Sequence, residues 1–294
     1  MDIRHMFPAA AMLALSSCVT LVAPDTGLRA NSARSDRTAA PQPALGRGQV
    51  VSAFFGVDNR LPLLARFRVC EGAGQRDGIV LVFDRELDPA TIEAGDIAVR
   101  TQSGLAGEMV CVTLMPAADE GERRSLLLVG EFGNAGQDPP AEVEIVGHLL
   151  SRDKEIDYRG AKRNVMPLEA GPMLVWAERV TTSGARPGKG LWARGSACPA
   201  GTAQALLVTW SGAVRRRDGD ELTSLERSLY EVVMEDGRRV EPFALGDLDD
   251  GDNHHLLCLR ETGQPVQVQF PAGPLGDANQ DANPATQVVV RDPR

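Results

Sequence analysis

Two segments near the end of this 294-residue chain collect the side chains best suited to hold a cation. One is Asp247-Leu248-Asp249-Asp250-Gly251-Asp252-Asn253; the other is Asp277-Ala278-Asn279-Gln280-Asp281-Ala282-Asn283. Calcium takes roughly six to eight hard oxygen ligands in a flexible geometry, which acidic loops containing Gly or Ala can supply. The candidate ligands are Asp249, Asp252, Asn253, Asp277, Asn279 and Asp281. The neighbouring runs His254 to Arg260 and Val266 to Phe270 read as strands. A hairpin between them, closed by Glu261 to Gln264, would carry the two segments to one end of a sheet. Solvated turns are the alternative, because Asp and Asn bond their own backbone and tolerate left-handed conformations. Neither segment has the sixth-position Gly and closing Glu of an EF-hand loop.

An earlier stretch, Asp119-Glu120-Gly121-Glu122, keeps the acidity of the first segment. Arg152, Lys154 and Ile156, however, stand where the second segment has Asp277, Asn279 and Asp281. The expectation is one calcium site in the later half of the chain, or none. Zinc on His254-His255 is disfavoured, since adjacent strand residues point to opposite faces. His148 reads as a strand-end residue, Trp210 as a core residue, and Arg215-Arg216-Arg217 as a solvated loop.

Catalysis needs a nucleophile beside a base, paired carboxylates in a pocket or an open metal. The chain has no G-x-S-x-G, H-E-x-x-H or phosphate-loop motif, and no catalytic residue is assigned. An exported hydrolase of other chemistry is the remaining enzymatic alternative.

The elements that must position these residues are strands. Ile79 to Phe83, Met109 to Leu114, Leu126 to Val129, Met173 to Val180, Ala205 to Trp210, Leu229 to Met234 and Gln287 to Val290 are short β-type runs separated by Gly, Pro, Asp and Asn. Strict alternation in Glu142 to Ile145 and in Val266 to Phe270 marks strands with one buried face. Helical periodicity is weak, its best stretch being Glu221 to Leu229. The class is all-β.

The chain also repeats. A shift of 130 positions lays Gly107, Val110, Asp119, Gly121, Leu126, Leu127 and Gly133 onto Gly237, Val240, Asp249, Gly251, Leu256, Leu257 and Gly263. Cys70 falls on Cys198, Phe83 on Trp210, and Pro140, Val143 and Leu150 on Pro265, Val268 and Leu275 at slightly smaller shifts. Two sandwich domains follow, over 49–171 and 172–294, each of ordinary size for such a fold. Each copy holds two cysteines, so Cys70 with Cys111 and Cys198 with Cys258 are the intradomain disulfide choices.

Val82-Phe83-Asp84-Arg85-Glu86-Leu87-Asp88-Pro89-Ala90-Thr91-Ile92 resembles the strand, acidic turn and D-P-x-T segment of bacterial Ig-like domains from surface-layer and secreted proteins. Asp277-Ala278-Asn279 is similar to that family's closing stretch, although the second copy has Arg215-Arg216-Arg217-Asp218 in place of D-P-x-T. The resemblance implies two tandem Ig-like β-sandwiches and no catalytic residues.

The N-terminus sets the expected location. Arg4 and His5 precede a mostly apolar run from Met6 to Ser17, too short to span a bilayer. Leu15-Ser16-Ser17-Cys18 resembles a bacterial lipobox, which implies a signal peptide over 1–17 and a lipidated Cys18. Val19 in place of Asp favours the outer membrane, facing the periplasm. Residues 18–48, with scattered Pro, Ser, Thr and charge, read as a flexible tether. The net charge of −9 and pI near 5.1 argue against nucleic acid as partner. The expected function is that of a membrane-anchored envelope lipoprotein, a non-catalytic interaction or structural module with an envelope protein as partner. A calcium-stabilised ligand-binding protein is the alternative.

Overall fold

The computed structural model describes residues 46–180, 196–248 and 250–293. Cys18 and the expected signal, the expected tether through residue 45, Trp192 and Asp249 lie outside the described residues. The expected tether reaches residue 48, but Gly46–Arg47 already pair in parallel with Ile156–Asp157. No helix among the described residues is long and apolar enough to cross a membrane.

Short apolar strands build the first half, several of them buried on both faces. Its strands are β1 (Val50–Val57), β2 (Asp77–Phe83), β3 (Ile97–Thr101), β4 (Glu108–Thr113), β5 (Ser125–Glu131), β6 (Pro140–Ile145) and β7 (Lys162–Asn164). Ile79, Leu81 and Phe83 share one face of β2 and are fully buried, and Val82 on the opposite face is fully buried too. One sheet has the order β1-β2-β5-β4 and the other β3-β6-β7. Phe55, Leu81, Leu126, Val99 and Val143 from the two sheets, with Tyr158 from a connecting loop, form one core.

A short helix, α1 (Ala65–Arg68), belongs to a segment covering the outer face of β5. Ala65 and Ala73 pack there on Val129, and the Cys70–Cys111 disulfide ties the segment to β4. The D-P-x-T segment forms a 3-10 turn at Pro89–Thr91. Asp88 caps it by accepting the Ala90 N–H at 3.0 Å.

The second half repeats this arrangement with β8 (Leu174–Val180), β9 (Gln204–Trp210), β10 (Glu231–Met234), β11 (Arg239–Val240), β12 (Ala244–Gly246), β13 (His254–Leu259), β14 (Pro265–Phe270) and β15 (Thr286–Arg291). Its strand order is β11-β10-β14-β15-β8-β9-β13-β12, joined where β8 pairs in parallel with β15 at Ala177 and Val290. The two wings enclose Leu206, Trp210, Val232, Leu257, Val268 and Phe270. Trp210 is fully buried like Phe83, edge-on to Phe270 at 5.0 Å. The second disulfide links Cys198 to Cys258 on β13.

Three expectations change. The hairpin expected between the runs at His254 and Val266 does not form: β13 pairs with β9 and β12, whereas β14 pairs with β10 and β15. The link between them crosses from one wing to the other, as Greek-key connections do. The stretch Glu221 to Leu229 holds only a 3-10 turn, Glu226–Leu229, and Arg215–Arg216 form a two-residue strand against Leu275–Gly276.

Candidate metal centre

The loops that precede β5 and β13 meet. Glu122 comes from the first, and Asp247 and Asp252 come from the second; one carboxylate oxygen of each lies within 4.8 Å of the others. All three side chains are buried. Local structure fixes their directions. The Asp252 Oδ1 accepts the His254 N–H at 2.7 Å, closing a tight turn into β13, and the Asp247 N–H donates to the Ser196 carbonyl at 2.6 Å. These bonds leave Oδ2 of Asp247 and Oδ2 of Asp252 buried without a hydrogen-bond partner. A small pocket borders Asp247 and Asp252, lined also by Glu221, Asp250, Arg215 and His255.

Burial, reinforced by the charges of Asp252 and Asp247, pushes the Glu122 carboxyl up to about 12. Burial and the charge of Asp250 raise Asp247 to about 7, and burial with the charges of Asp250 and Asp247 holds Asp252 well above the carboxylate range. Three like charges in so small a volume resist ionisation together.

A polar network continues from this group along the junction. The Ser125 hydroxyl accepts the Asn253 Nδ2–H at 3.0 Å and meets His254 Nε2 at 2.9 Å; His254 Nδ1 meets the Thr209 hydroxyl at 3.1 Å. Burial, then the charge of Arg124, keeps His254 neutral by lowering its pKa far below the ordinary value. Arg124 pairs with Glu178, both side chains nearly buried, and stacks over Trp176 at 4.8 Å. Trp176 Nε1–H donates to Glu178 at 3.1 Å. On the next strand position, burial lowers His255 to about 4, and its Nδ1 lies 2.8 Å from the Tyr230 hydroxyl. The two imidazoles thus face different partners, as adjacent strand residues must.

Of the six ligands expected from sequence, Asp252 belongs to the carboxylate group. Asn253 spends its amide N–H groups on Ser125 and the Trp210 carbonyl. Asp277, Asn279 and Asp281 form a separate loop, in which Oδ1 of Asp277 accepts the N–H groups of Asn279 at 2.8 Å and Asp281 at 3.0 Å. The Asn279 side chain donates to the Gly56 carbonyl at 2.9 Å, a contact between the halves. Glu122 and Asp247 were not among the expected ligands. A signal for Glu122 was present, since the shift of 130 that aligns Gly121 with Gly251 places Glu122 on Asp252.

No family model matches the chain, and no curated protein matches it. Among solved structures it is similar to the crystal structure of chicken CNTN1 FN1-FN3 domains, with 11% identity, 74% of this chain and 61% of that chain covered, and a TM-score of 0.15. The chain therefore spans about three fifths of that structure's length. Its own strand order defines the class: an all-β protein of Ig-like sandwiches.

Proposed function

We propose that the chain is an exported lipoprotein, anchored through Cys18 to the outer membrane and facing the periplasm, that acts as a non-catalytic interaction or structural module. The observation that carries this reading is the junction itself. Arg124, Ser125, Glu178, Asn253 and His254 are all at least nine-tenths buried, with Arg124 paired to Glu178 and Ser125 bonded to both Asn253 and His254. The one serine–histidine pair of this network, Ser125 with His254, has its second imidazole nitrogen on a threonine and stands buried, which suits packing and not attack on a substrate. Two sandwiches locked in this way would form a stiff body at the end of a lipid tether, presenting its loops to an envelope protein partner.

The test is metabolic labelling with a fatty acid, followed by membrane fractionation and crosslinking in intact cells. Label and membrane association that are both lost in Cys18→Ala, with a crosslinked envelope partner, support the reading. Unlabelled, soluble wild-type protein would refute it.

A further inference from the structure

Glu122, Asp247 and Asp252 pose a physical problem that a hard divalent cation would solve. Burying one carboxylate without a compensating partner is costly, and burying three together more so. Oδ2 of Asp247 and of Asp252 accept no hydrogen bond, although the two residues are only 4% and 6% exposed. No guanidinium answers them among the described residues. Arg124 gives its Nη2 to Glu178 while its Nε and Nη1 make no hydrogen bond, and Arg215 at the pocket wall bonds the Gly219 carbonyl.

The spacing is that of a ligand shell. Two oxygens each about 2.4 Å from one ion can stand at most ~4.8 Å apart, and the three carboxylates meet that limit. We propose that Glu122, Asp247 and Asp252 bind one calcium ion, which clamps the first sandwich to the second. An all-carboxylate group favours calcium over zinc, which prefers nitrogen and sulfur. The small pocket beside Asp250 and Glu221 has space for about one water to join the shell. Equivalent loops of the repeat supply Glu122 and Asp252, so each half brings part of the site and neither has all of it.

The experiment uses the purified full chain, stripped with chelator and titrated calorimetrically with calcium chloride, alongside thermal midpoints with and without about 5 mM calcium, above the weak range of extracellular modules. One ion per chain and a raised midpoint are expected, because a ligand bound only by the native state stabilises it. Glu122→Gln and Asp252→Asn should each weaken binding by roughly tenfold or more, since even outer-sphere changes at metal sites cost that much. Asp277→Asn should bind like wild type. The two ligand variants lie in different halves, so if one fails to fold the other carries the test. Wild type with neither heat nor midpoint shift would overturn the proposal. So would a Glu122→Gln protein that binds normally, or calcium binding lost only in Asp277→Asn.

Discussion

Ser125 and His254, separated by 129 positions, share a 2.9 Å hydrogen bond at the buried junction between the halves. Ser125 also accepts the Asn253 N–H, and the other imidazole nitrogen of His254 meets the Thr209 hydroxyl, so hydroxyls engage both ring nitrogens. Ser125→Ala would orphan an amide N–H and an imidazole nitrogen, each without access to water. The expected cost is about 1–3 kcal/mol of unfolding free energy, read from urea denaturation at matched m-values.

Glu178→Ala should cost more, roughly 3–5 kcal/mol, because it leaves the Arg124 guanidinium buried and unpaired and also strips a partner from Trp176 Nε1. Replacing both charges together, as Arg124→Met with Glu178→Leu, should recover most of that loss. A double-mutant cycle in urea measures the coupling; equal losses in single and double variants would contradict the assigned pairing.

How much of this was legible beforehand varied with range. The strands at Glu142 to Ile145 and Val266 to Phe270 announced themselves, because alternation is a local signal that survives whatever the sheet packs against. The fold class and the cysteine partners followed from such local patterns and from the repeat. Glu122 was harder to see as a ligand, since its contact with Asp252 depends on how two sandwiches dock. The expected hairpin after Arg260 failed for a related reason: a link of a few residues serves equally to turn back along one sheet or to cross to the facing one. α1 is a single turn with no periodicity to read.

The Cys198–Cys258 bond closes a separation of 60 residues. Changing both to Ser should lower stability by up to about 4 kcal/mol in the chain-entropy model. The urea midpoint measures the loss, and mass spectrometry after alkylation without reductant should find both pairs blocked in the wild type.

Asp138 offers a pH test outside the junction. The Ser103 hydroxyl at 2.7 Å and the Ser103 N–H at 2.7 Å hold its carboxyl below the usual range. A depressed folded-state pKa contributes stability above the unfolded value near ~3.9 and loses it as pH falls through the folded value. Asp138→Asn should therefore be less stable than wild type at pH near ~7. The gap should close below roughly pH 4, as seen in paired urea midpoints; a gap independent of pH would contradict the assignment.

The interlocked junction also governs how the protein comes apart. If one sandwich melted while the other stayed folded, the survivor would turn Arg124 or His254, Trp176 and several carboxylates out to solvent with their partners gone. That free-energy penalty couples the two cores, so heating should produce one calorimetric transition in place of two, and a lesion in either sandwich should lower the melting of both.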